Sequence, residues 1–184
     1  MFGDALHLND VEVFPAAMEE GIFSHGDILI SLRNINTILV FDPDNLNIKF
    51  IKIGGFVRQH DPDFIDGNTI SLFDNNNIGP EEFGQQSRII VMDAVSGDVS
   101  TYFSGSKSVP FYTDIMGKHQ WLANGNLLVT DSENGRAFEL NESQEIIWEF
   151  VNLLDDGRVG IVEEVQRIPA NMASIFDQAV CPQN

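Results

Sequence analysis

The sequence predicts an all-β chain, a partial β-propeller of about three four-stranded blades plus the first strand of a fourth. Three observations predict it. Short apolar runs with strand character recur between Asn-, Asp- and Gly-rich turns. No stretch of comparable length shows the i, i+3, i+4 spacing of an amphipathic helix. The same four-strand order also returns three times.

The strand signals are DILISLR (27–33), TILVFD (37–42), NTISLFD (68–74), RIIVMD (88–93), NLLVTD (126–131) and EIIWEF (145–150). A single helical turn is the most that EEFGQQ (81–86) could hold. Each repeat opens on a histidine, passes a turn ending in Gly-Asp or Gly-Asn, and continues through apolar strands to an aromatic-rich or apolar last strand. The starts are His7, His60 and His119, 53 and 59 residues apart. Four strands per unit at such a period is the pattern of propeller blades. A meander or sandwich would give regular turns too, but not the same four-strand grammar three times.

The whole chain, 1–184, reads as one partial propeller domain. Its blades fall at about 7–53, 60–103 and 119–151, with an opening strand of a fourth at 160–168 and a tail at 169–184. Propellers close with about four or more blades. The expectation is therefore that further blades lie outside this chain, or that self-association completes the ring and covers its sheet edges. Trp121, Trp148, Phe41, Phe73 and Phe138 lie on strand patterns and are expected to pack between blades.

Charge narrows the function. A formal charge of −18, from 10 Lys and Arg against 28 Asp and Glu, repels phosphate backbones and anionic lipid. Nucleic acid and membrane surfaces are poor partners, and an anionic substrate would depend on a few well-placed cations. Cys181, the only cysteine, cannot form an intrachain disulfide, so redox compartment is not readable. The start MFGDALHLND has neither the basic nor the apolar region of a secretory signal, and no run approaches a membrane span.

His7, His60 and His119 each begin the first strand of a blade, the strand that lines a propeller's channel. Three imidazoles there could serve as nucleophile, general base or metal ligands. The plainer use of each is to cap a turn. Asp61 and Asp63 follow His60 closely enough to orient it. His25, in FSHGDI, falls outside the pattern and reads as solvated. Arg88, before a strand, could reach the same face, although a salt bridge between blades is its simpler use. The acidic turns DPDN (42–45) and DPDF (61–64) offer oxygen ligands suited to Ca²⁺, but lack the spacing of a dedicated loop. Neither a metal nor a cofactor is expected.

HLNDVE with ILISLRN, then QHDPDFIDGNTISLFDNN, then SRIIVMD, resemble the arylsulfotransferase propellers. The third unit, MGKHQWLANGNLLVTDSENGRAFEL, resembles the arylsulfotransferase-like branch, so the likeness spans nearly all of 7–170. The resemblance implies a six-bladed propeller that moves a sulfuryl group from an aryl sulfate to a phenol without a nucleotide cofactor. It implies His60, of the QH motif, as a nucleophile carrying the group as sulfohistidine. It further implies His7 as an assisting histidine with Asn9 beside it, and Arg33 on the sulfuryl oxygens. His119 and Arg88 join Asn9 as candidate substrate contacts, His119 without a firm motif match. A periplasmic or secreted location would follow, with the signal absent from this sequence. The rival expectation is a non-catalytic propeller binding a protein or glycan partner.

Overall fold

The computed structural model describes residues 3–78, 85–155, 157–169 and 171–172. Twelve strands form three four-stranded antiparallel sheets, each in simple sequence order. Blade 1 holds β1 (Leu8–Val13), β2 (Ile28–Leu32), β3 (Thr37–Phe41) and β4 (Ile48–Ile53). Blade 2 holds β5 (His60–Phe64), β6 (Thr69–Asp74), β7 (Arg88–Asp93) and β8 (Val99–Ser104). Blade 3 holds β9 (Lys118–Trp121), β10 (Leu127–Asp131), β11 (Arg136–Leu140) and β12 (Ile146–Val151). The first strands approach one another, β1 to β5 and β5 to β9, so the sheets fan from a common side as propeller blades do.

Side-chain alternation explains how blade 2 is buried on both faces. Ile70, Leu72, Ile90 and Met92, with Phe64 of β5, form one core with Phe14, Phe23, Leu29, Ile38 and Val40 of blade 1. Phe73 and Ile89, one step out of phase, meet Leu127, Val129, Phe138 and Leu140 of blade 3. Registered pairs keep each set on one face: Leu72 sits opposite Ile90, and Phe73 opposite Ile89. Phe111, from the segment before blade 3, stacks edge-on against Phe73 and Phe138, with ring centroids 5.3 and 5.6 Å apart. Such geometry adds to the burial of these rings.

Two expectations change here. Residues 160–168 form no strand. Val162 N–H donates to Ser132 O, Val165 N–H to Thr130 Oγ1, and Arg167 N–H to Gln120 Oε1, so the segment lies along blade 3 tied mostly to side chains. A strand needs a ladder, and no second strand pairs with this segment among the described residues. Trp148 and Phe41 also differ from expectation. Trp148 is 43% exposed, and Phe41 is half-buried outside both cores, whereas Phe73, Phe138 and Trp121 do pack between blades. The expected helical turn at 81–86 lies mostly outside the described residues. No helix among the described residues is long and apolar enough to cross a membrane.

Candidate active site

Blades 1 and 2 share a bend at the start of the inner strand. Register shifts between Leu8 and Asp10 in β1, and between His60 and Asp63 in β5. His7 and Asp61 there have φ of 53° and 50°, in the left-handed region that non-glycine residues seldom occupy. In β5 the bulge parts two neighbours. His60 turns toward Asn75 at the end of β6, while Asp61 turns toward blade 3.

His60 is half-buried, with Nδ1 2.7 Å from Asn75 Oδ1. Burial pushes the imidazole below its ordinary pKa. The charges of Arg33 and His7 act in the same direction, opposed by the bond to Asn75 and by a backbone bond involving Arg58. His60 is therefore neutral near pH 7, the form that has a lone pair to offer.

Blade 1 supplies the cations that face it. Arg33 follows β2 and opens a short 3₁₀ turn, Arg33–Ile35. Its Nε is buried and has no hydrogen-bond partner among the described residues. Burial and the neighbouring Arg58 hold its pKa below the ordinary value, while Asp114 opposes them. A guanidinium with a donor unspent in a sheltered position suits a tetrahedral oxyanion. His7 is braced by Asp4: Asp4 Oδ1 accepts the His7 N–H at 2.8 Å, and Asp4 Oδ2 lies 2.9 Å from Nδ1. Asn9 uses one amide N–H on Gln59 O at 2.8 Å, joining blade 1 to the residue before His60, and its buried Oδ1 has no partner among the described residues.

The structure thus brings His60, His7, Arg33 and Asn9 to one end of blades 1 and 2. It does not bring His119 there. His119 is buried, with Nδ1 2.9 Å from Asp61 Oδ2 and Nε2 2.7 Å from Ser71 Oγ, so both ring nitrogens are engaged by protein. Its surroundings make it a clamp between blades 2 and 3 rather than a substrate contact. Asp61 serves that clamp as well, accepting from Lys118 Nζ at 2.7 Å, so it does not orient His60 as expected. Arg88 is committed to the buried Asp74 on the next strand, through Nε at 2.8 Å and through Nη2, with a longer bond to Gly55 O. That ion pair lies within blade 2, not between blades. His25 is exposed in its turn, as expected.

Among the inner strands β1, β5 and β9, a cavity of about 260 Å³ is lined by Asp10, Glu12, Asp61, Asp63, Lys118 and His119, among others. Burial raises Glu12 to about 8, and Asp63 and Asp10 add to it. Burial likewise raises Asp63 to about 7, partly offset by His119. Burial alone would lower His119, but Asp63 and Asp61 outweigh it and raise it. One ligand atom from each of Asp61, Asp63 and His119 falls within 4.8 Å of the others. That set fits a metal poorly. Lys118 already neutralises Asp61, and His119 Nε2 is spent on Ser71. The DPDN turn closes on itself: Asp42 Oδ1 accepts from Asp44 N–H and Asp42 Oδ2 from Asn45 Nδ2.

Sequence reasoning missed Asn75 and Asp4. Asn75 stood inside the FDN run, at the strand end whose blade 1 counterpart is Arg33–Asn34, and that position was the available signal. Asp4 stands three residues before His7, the spacing of a side chain returning to a local N–H.

The class defined by this fold and site is a propeller with a neutral histidine facing cations at one end of its inner strands. The model of the arylsulfotransferase (ASST) family matches residues 2–153, and the chain belongs to that family. No curated protein matches it. Apo AztD from Citrobacter koseri is similar at 15% identity and a TM-score of 0.44, covering 72% of this chain and 32% of its own. The β-propeller domain of the Trilobed protease from Pyrococcus furiosus is similar at 16% identity and a TM-score of 0.45, covering 80% of this chain and 43% of its own. This chain thus spans less than half of either, and neither likeness bears on a reaction.

Proposed function

We propose that the chain carries the sulfuryl-transfer site of a nucleotide-independent aryl sulfotransferase, with His60 as nucleophile. The supporting observation is that Arg33 and His7 of blade 1 act electrostatically on His60 of blade 2, with Arg33 Nε buried and without a partner among the described residues. In this reading Arg33 holds the sulfuryl oxygens, and the second amide N–H of Asn9 assists.

The His60 lone pair attacks sulfur. The bond from sulfur to the aryl oxygen breaks, and its electron pair leaves on that oxygen, which takes a proton from the His7 imidazolium. The acceptor phenol then attacks sulfur and gives its proton to His7. The N–S bond breaks, its electron pair returns to His60, and the sulfated product departs. Asp4 keeps the other ring nitrogen of His7 hydrogen-bonded, so that Nε2 does the proton work.

Stopped-flow mixing with 4-nitrophenyl sulfate in the absence of acceptor tests this. A burst of one 4-nitrophenolate per chain is expected from the unaltered protein and none from His60→Ala. Equal release by both would count against His60, and no release from either would favour a propeller that binds without turnover.

A further inference from the structure

We infer that Asn75 is a positioning residue that fixes His60 as the Nδ1–H tautomer, and that the loop before blade 3 sets the direction of the Asn75 amide. The clause about catalysis rests on the reading above. The tautomer does not.

The amide has two donors on Nδ2 and acceptor capacity on Oδ1. Nδ2 donates to Thr113 O at 3.0 Å and to Met116 O at 2.8 Å. Both partners are backbone carbonyls, which only accept. Reversing the amide would set Oδ1 against two carbonyl oxygens, so the orientation is decided by chemistry rather than by fit. Oδ1 then faces His60 Nδ1 at 2.7 Å, and an oxygen with no proton can only accept. The imidazole must carry its proton on Nδ1. Neutral His60 therefore holds its lone pair on Nε2.

The same bond has a second consequence once sulfur is attached. A sulfuryl group on Nε2 leaves the ring with its Nδ1 proton and a positive charge, which Asn75 Oδ1 stabilises. A cationic ring is the better leaving group when phenol attacks. Asn75 is itself fully buried, and its two carbonyl partners come from the loop that joins blade 2 to blade 3. Gly117 lets that loop pass: at φ +100°, an added Cβ there would lie 2.5 Å from the Phe73 ring. The tautomer of a blade 2 histidine is thereby set from the blade 3 side.

Long-range ¹H–¹⁵N spectra of the ¹⁵N-histidine-labelled chain at pH 8, with His60→Gln to assign the signal, read the tautomer directly. Protonated Nδ1 and bare Nε2 are expected in the unaltered protein. In Asn75→Ala the proton should redistribute toward Nε2, and kcat with 4-nitrophenyl sulfate and phenol should fall about 10²-fold with KM nearly unchanged. A proton on Nε2 in the unaltered protein overturns the inference without any variant. An unchanged tautomer in a folded Asn75→Ala protein overturns it too. The predicted tautomer with no sulfuryl adduct would sink the transfer reading and leave the role of Asn75 standing.

Discussion

At the scale of single residues, a neutral histidine and a cation must sit together in a chain of strongly negative charge. Burial supplies the first by lowering His60, and Arg33 supplies the second without quenching it. Because only neutral His60 can attack, kcat/KM should rise with pH on an acid limb centred below the 6.5 of free imidazole. A pH–rate profile whose acid limb sits above 7 would contradict that assignment. Arg33→Ala should lower kcat about 10²- to 10³-fold, as loss of a charge-stabilising donor does, and Arg33→Lys should recover only part because a point charge cannot replace the planar fork. Steady-state kinetics of the two variants decide it. The roles of His60, His7 and Arg33 could be proposed from sequence because their motifs carry them at strand starts and strand ends. The roles of Asn75 and Asp4 could not, since an amide's direction depends on carbonyls 38 and 41 residues away.

At the scale of strands, the inner edge of the propeller is held by charged and polar groups as much as by apolar ones. Glu12 Oε2 accepts the Phe64 N–H at 2.9 Å, and Asp61 binds Lys118 and His119, so β1, β5 and β9 are joined in turn. Glu12 at about 8 and Asp63 at about 7 stand above their unfolded values, and His119 is raised as well. Groups raised on folding contribute stability that is present below their unfolded pKa and lost as pH rises through the folded one. Asp10, Asp61, Lys118 and Glu164 face the same cavity; Asp61, held low by its partners, acts oppositely but only at acid pH. The melting temperature should therefore fall between pH 6 and pH 9, and Glu12→Gln with Asp63→Asn should reduce that fall by about 5 °C. Thermal melts across that range check it, and an undiminished fall would mean the burden lies elsewhere.

Most strands were legible because each is a short apolar, β-rich run that ends at an Asn, Asp or Gly turn. Segment 160–168 carries β-branched residues at Ile161, Val162, Val165 and Ile168, yet composition cannot say whether a partner strand exists. His119 looked equivalent to His7 and His60 by position. The difference is Asp61 and Ser71 on the neighbouring blade, which no reading of blade 3 alone could reveal.

At the scale of the whole molecule, stability comes from two apolar seams between three sheets. Phe111 touches Phe73, Phe103 and Phe138 at the centre of the second seam. Phe111→Ala should cost about 3–5 kcal/mol in denaturant unfolding, the range for emptying a buried aromatic site. A loss under about 1 kcal/mol would mean that the seam is not shared cooperatively. The outward face of blade 1 presents Val11, Val13, Ile51 and Ile53, each at least half exposed, so its apolar alternation continues beyond what these three blades bury. A net charge of −18 opposes compaction, and raising salt from about 20 mM to about 0.5 M should raise the melting temperature through screening.

The central claim is that His60 takes a sulfuryl group from an aryl sulfate. Intact and peptide-level mass spectrometry after mixing with 4-nitrophenyl sulfate tests it most directly. A gain of one sulfuryl group per chain is expected, located on His60, absent in His60→Ala and discharged by added phenol. An adduct on another residue, or a gain that survives His60→Ala, would contradict it.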